Sequence, residues 1–300
     1  MVYRLEILSG VVAVYQVGSV SSPGISDLDL VVVFDPGISC LQNFPGTLRT
    51  KKKYLFAHSL YGTNEPLFVS AQRYTFFHNY ELLYGRELRI MSPANSGEDK
   101  ILKQQIAFEF LLKMYIAMTV QKSYRVIRLR ALLLEAMAIQ YDLGFLGIKN
   151  GIMFDLVNEI IAMRKTWFGI KNQGKTIVHW FERFYVELKK FLEENLRQQK
   201  FFTYLNSPIN VSSNILIAQG SQLEVKRKGI AIPSITAPVL GTKHFNLNHR
   251  INNFHFTVPL KNENTPIAIT ARFELLKKMQ DYNTRHLPHF QTLSSGLKLF

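Results

Sequence analysis

Two apolar runs near the start of the chain, residues 11–17 (VVAVYQV) and 30–34 (LVVVF), flank a stretch rich in glycine, serine and proline that ends in Ser26-Asp27-Leu28-Asp29. Short β-branched runs bounded by turn formers read as buried strands. The first strand therefore delivers Gly18 and Ser19 to the rim at which the second begins. Side chains two residues apart on an extended chain share a face, so Asp27 and Asp29 stand together while Leu28 and Leu30 turn inward. Two carboxylates placed in this way offer a two-point grip on a hard cation. Mg2+ takes oxygen ligands, keeps several waters and completes its shell with substrate phosphates. Glycine at position 18 frees the backbone so that amide groups there can meet phosphate oxygens. The same residue types also make ordinary solvated turns before strands.

Taken together, Gly18-Ser19, the Ser/Pro/Gly linker, Asp27-Leu28-Asp29 and the apolar strand after them resemble the signature of the DNA polymerase beta-like nucleotidyltransferase superfamily. The resemblance extends over roughly the first 90 residues. It implies a small α/β catalytic domain in which Gly18 and Ser19 hold a nucleoside triphosphate such as ATP. Asp27 and Asp29 would bind the catalytic Mg2+ or Mn2+. An acceptor hydroxyl would attack the alpha phosphorus, with pyrophosphate leaving. Family enzymes carry a third carboxylate on a later strand. The equivalent strand here is most naturally residues 66–74 (PLFVSAQRY), where Phe68 or Ser70 takes the acid's place. Glu65, just before it, is the first candidate for a third acid, with Glu81 and Glu87 behind it. Phosphoryl chemistry depends on clamping both attacking and leaving oxygens, so a missing ligand points to the alternative of a nucleotide- or nucleic-acid-binding subunit without efficient turnover.

The remainder of the chain reads as α+β overall, with an N-terminal domain over residues 1–95, a helical domain over 100–200 and a mixed, basic C-terminal region over 201–300. A turn is expected at Asp35-Pro36-Gly37 and a helix over residues 48–60. Helical spacing recurs through Ile106, Phe110, Leu111, Met114 and Met118, and again through Leu129, Leu132, Leu133 and Met137. Further helices are expected over 151–163, 176–196 and 273–282. Trp180, Phe181, Phe184, Tyr185 and Leu188 form an aromatic stripe, which fits core packing better than base stacking. In the last hundred residues, short strands are expected at 215–218, 222–225 and 230–232. The run Lys226-Arg227-Lys228-Gly229 would make either a basic hairpin tip or an edge strand guarded by lysine.

Charge is distributed unevenly. Residues 1–100 hold nine basic and nine acidic side chains, residues 101–200 sixteen against nine, and residues 201–300 eleven against four, giving a net +14. The basic portion suits a polyanion such as RNA or an acidic glycan, an acidic protein partner, or simply a solvated surface. Lys122, Arg125 and Arg128, three apart, are candidates for triphosphate or nucleic-acid backbone contacts, or a charged helix face. A structural subunit of a larger assembly, docking through its basic regions, is a third reading. Cys40 is the single cysteine, which excludes an internal disulfide framework and suits the cytoplasm. No membrane insertion is expected, because the most apolar helical stretch, residues 106–120, contains Glu109 and Lys113. The histidines at 244, 249, 255, 286 and 289 lack the spacing of a zinc site.

Overall fold

The computed structural model describes residues 8–18, 20, 22, 24–43, 54–56, 59–75, 79–90, 97–169, 174–198, 201–203, 208–260 and 264–294. The fold is α+β, with a mixed sheet at the N-terminus and helices through the middle of the chain. It divides into two compact units. The first comprises residues 1–99 and 270–295, the second 100–269 and 296–300. The C-terminal hundred residues thus form no third unit of their own.

The first unit is built on a five-stranded sheet of order β4-β1-β2-β3-β9. Its strands are β1 (Val11–Val17), β2 (Asp29–Phe34), β3 (Tyr61–Asn64), β4 (Glu81–Gly85) and β9 (Gln291–Thr292). β1 runs antiparallel to β2 and β4, whereas β2, β3 and β9 are parallel. One face carries Val14, Leu30, Val32 and Phe34 into a core shared with Leu287 and Phe290. Phe34 meets Phe290 edge to face at 5.4 Å between centroids. Burying each of these side chains is worth about 1.5–3 kcal/mol. On the other face Tyr15 stacks on Phe68 at 5.3 Å, and Tyr80 closes edgewise on both. β3 must pass directly under Phe290. A Cβ on Gly62 would stand 2.6 Å from Phe290 Cβ, so only glycine fits there.

Residues 66–74, expected as a strand, lie in helix α1 (Glu65–Thr75) instead. Asn64 caps it, its Oδ1 accepting from Leu67 N–H at 3.0 Å, and Glu65 adds an acid to the first turn. The buried residues Phe68, Ala71, Gln72 and Thr75 keep helical, not alternating, spacing. The strand next to β2 is the polar, glycine-containing β3, all four residues of which are buried. The helix expected over 48–60 falls largely outside the described residues. Within it, Leu55 O accepts from Leu28 N–H at 2.7 Å and the Tyr54 hydroxyl donates to Gly24 O at 2.7 Å.

The second unit packs helices α2 (Gly97–Tyr124, entering from the first unit), α3 (Leu129–Phe145), α4 (Ile152–Thr166) and α5 (Gly174–Arg197). The aromatic stripe of α5 is core: Trp180, Phe181, Phe184 and Leu188 are buried, and Trp180 Nε1 donates to Leu156 O at 2.8 Å. Its sheet has the order β5-β6-β8-β7, from β5 (Ile209–Ser212), β6 (Ile215–Gln219), β7 (Glu224–Gly229) and β8 (Asn252–Val258). Lys226, Arg227 and Lys228 lie within the edge strand β7, not at a hairpin tip, because β8 inserts between β6 and β7. The chain reaches β8 through a helical turn, α6 (Ala237–Leu240), and helix α7 (Thr242–Ile251). His244 and Asn248 on α7 and Asn252, which opens β8, are buried and follow one another four residues apart. Asn248 accepts from Ile232 N–H at 2.9 Å and donates to His244 O at 3.0 Å. Asn252 accepts from Arg227 Nε at 2.9 Å. Helix α8 (Ile267–His286) runs back into the first unit. Among the described residues no helix is long and apolar enough to cross a membrane.

Candidate functional site

The site begins where β1 ends. Gly18 follows the last residue of β1 with φ +76°, a left-handed conformation that side chains disfavour, and among the described residues beyond its chain neighbours no heavy atom lies within 4 Å of where its Cβ would be. Ser19 lies outside the described residues. Beyond it the chain folds into a tight turn: Ser26 N–H donates to Ser22 O at 2.8 Å, and Ser22 N–H donates back to Ser26 Oγ at 3.0 Å. That turn fixes the entry to β2, where Asp29 pairs with Val17. Leu28 packs toward the core, so Asp27 and Asp29 take the opposite face.

The two acids are close enough to feel one another. Burial, followed by the negative charge of Asp27, pushes Asp29 up from 3.8 to about 7. Asp29 Oδ1 is buried and accepts no hydrogen bond from the described residues. Tyr61, the first residue of β3, sits beside Val31 in the parallel register and shares this face. Burial and then the charges of Asp29 and Asp27 hold its phenol protonated, above the usual tyrosine range. Tyr61 is a residue that sequence reasoning did not find, since its segment, YGTN, has no strand-like apolar run.

Among the described residues the third acid of the resembled family has no counterpart. Among the described residues, no cluster of three or more His, Cys, Asp or Glu forms around the pair. Glu65 is bound to Arg86 in an ion pair. It also lies past the Phe34–Asn64 end of the strand pair, whereas Asp29 opens β2, a separation of about 15–20 Å along the strand. Glu81 pairs with Gln16, whose partner across β1 is Leu30, so it belongs to the opposite face. Glu87 is exposed beyond the end of β4. On β3 the side chain that feels the pair is the Tyr61 phenol, a donor in place of an acceptor.

Lys122, Arg125 and Arg128 belong to the second unit and do not share a helix face, because α2 stops at Tyr124. Arg125 takes φ +54°, its N–H donating to Lys122 O at 3.1 Å and Val126 N–H donating to Gln121 O at 3.0 Å. This is a Schellman turn with arginine where glycine is usual. Lys122 is ion-paired with Glu182 and lies 5.1 Å from the Tyr185 ring. Arg128 stands 5.2 Å over the Phe245 ring. Lys122 and Arg125 line a cavity of about 700 Å³ that Arg128 does not reach.

The acid pair fits a divalent cation by its donor chemistry: two oxygens on one face, one of them buried without a donor, and a mutual repulsion that a cation would relieve. No protein-family model, curated protein or solved structure matches this chain.

Proposed function

We propose that the first unit is a metal-dependent nucleotidyltransferase-type domain that binds a nucleoside triphosphate between the Gly18 turn and the Asp27/Asp29 pair. The observation that carries this reading is the placement of two carboxylates at the mouth of β2, with Asp29 Oδ1 buried and unsupplied with a donor, beside an open left-handed glycine. Asp27 and Asp29 would hold Mg2+ or Mn2+, which supplies positive charge to neutralise phosphate oxygens during phosphoryl transfer. The Gly18 turn presents backbone to the phosphates. Leu28 and Leu30 anchor the pair by packing into the core, so the carboxylates are positioned before substrate arrives. Tyr61 offers a proton donor at the same face.

A second reading is triphosphate binding without turnover, and one observation favours it: among the described residues no third acid joins the pair, and β3 brings the Tyr61 phenol to that face. One pair of measurements separates the two. A saturating triphosphate with Mg2+ at about 100 times its Kd raises stability by about 2.7 kcal/mol, visible as a shift in Tm. Asp27→Asn and Asp29→Asn should abolish that shift. Pyrophosphate release with common acceptor hydroxyls then identifies transfer, whereas a metal-dependent shift without release identifies binding alone. If ATP, CTP, GTP and UTP all leave Tm unchanged with Mg2+ and with Mn2+, the proposal is wrong.

A further inference from the structure

A cavity in the second unit lies between helix ends, the 126–127 connection and the first turns of α5, and it combines apolar walls with a cation that, among the described residues, has no counter-charge. Val126, Ile127, Trp167, Ile177 and Phe181 supply the walls. Its volume of about 700 Å³ falls within the range of about 300–1,000 Å³ usual for small-molecule sites. At its rim Lys122 and Glu182 satisfy one another as an ion pair, which leaves Arg125 as the surplus positive charge. Among the described residues Arg125 makes no ion pair, and its side chain is exposed. An adjoining cavity that shares Gly174, Val178 and Glu182 adds Lys175 and His179.

The backbone at Arg125 strengthens the case. A left-handed residue closing a helix is ordinarily glycine, and a residue with a Cβ stores strain in that position. Here the turn itself needs only a left-handed residue, and the one present is a long cation that makes no ion pair among the described residues and lies at the edge of an apolar cavity. Backbone strain of this kind gathers at ligand-binding positions. Helix dipoles do not decide the sign of the site. The amino ends of α3 and α5 and the carboxyl ends of α2 and α4 all reach the cavity, through Leu129, Gly174, Arg125 and Trp167, so their fields largely offset. The charge preference therefore comes from the side chains.

We infer that this cavity binds an organic anion with a flat apolar body, its ring against the Trp167 and Phe181 walls and its acidic group at Arg125. Nothing in this inference depends on the acid pair of the first unit. Arg is suited to the task because its planar guanidinium donates two parallel hydrogen bonds to a carboxylate, sulfonate or phosphate. Aryl phosphates and nucleoside monophosphates share this chemistry.

The test is a fluorescence titration with 8-anilinonaphthalene-1-sulfonate, which combines a flat apolar body with an anion. Native protein should bind it saturably. Val178→Trp, placed at the exposed mouth of the cavity, should abolish binding, and Arg125→Gly should weaken it about tenfold or more, the effect of losing one charge-assisted contact. 1-Naphthyl phosphate should displace the probe far better than neutral 1-naphthol. Adenosine monophosphate, tested alongside, decides whether the natural anion is of the nucleotide type. Unchanged probe affinity in both variants, or equal displacement by the neutral naphthol, overturns the inference. Arg125→Gly removes backbone strain, so a loss of binding in that variant is not a loss of fold.

Discussion

Replacing Arg125 by glycine should make the protein more stable. Arg125 closes the Schellman turn after α2 with φ +54°, a conformation that costs a residue with a Cβ about 1–2 kcal/mol. Glycine removes that cost but gives back about 0.4–1 kcal/mol through the greater freedom of the unfolded chain. No ion pair is lost among the described residues, because Lys122 already satisfies Glu182. The net expectation is a gain of about 0.5–1 kcal/mol, or about 1–4 °C in Tm for a unit of this size. Arg125→Ala is the control. It removes the same charge but keeps a Cβ in the left-handed region, so it should fall within about 0.5 kcal/mol of native. The assay is thermal unfolding followed by circular dichroism at fixed pH and salt, with urea titration as a second measure. An Arg125→Gly variant that melts below native, or an alanine variant that gains as much as the glycine variant, would refute the claim that strain is held at this turn.

Three other substitutions probe the remaining physical claims. In the metal-free protein Asp29, raised from 3.8 to about 7, keeps its proton when folded over a range where the unfolded chain has lost it. Stability should therefore fall as pH rises from about 4 to about 7, by at most about 4 kcal/mol, and by less because the group is only partly buried. Asp29→Asn should flatten that decline in melts across the range, and millimolar Mg2+ should reduce it in the native protein. An unchanged pH profile in Asp29→Asn would remove the electrostatic argument for the pair. Gly62→Ala forces a methyl within 2.6 Å of Phe290 Cβ and should cost about 1–3 kcal/mol by urea unfolding. Asn248→Leu leaves the Ile232 amide without its acceptor and should cost about 1–3 kcal/mol, with faster hydrogen exchange at Ile232 as its signature.

The first two strands, the shared face of Asp27 and Asp29, and the helices of the second unit could be read from sequence because each depends on local periodicity. β1 and β2 are apolar runs bounded by turn residues, and the stripe on α5 repeats at helical spacing along its length. Residues 66–74 are the instructive failure. Their apolar content favoured a strand, but the capping signal at Asn64 and the spacing of Phe68, Ala71 and Thr75 were present and carried the helix. β3 (Tyr-Gly-Thr-Asn) carries Gly and Asn and no apolar run, and β8 opens on Asn-Asn, so neither shows a strand signal at its start.

What the sequence determined by itself is therefore the pair of carboxylates, because alternation along one strand is a property of the chain and needs no partner. Tertiary structure alone decided what surrounds them. The parallel pairing of β3 with β2 puts the Tyr61 phenol on their face and sends Glu65 to the far end of the strand. The same holds for the cations of the second unit: three at intervals of three imply one helix face, but the turn that ends α2 breaks that face and leaves Lys122 and Arg125, without Arg128, lining a cavity. Local spacing fixes which side chains share a face, and pairing between distant segments fixes what that face meets.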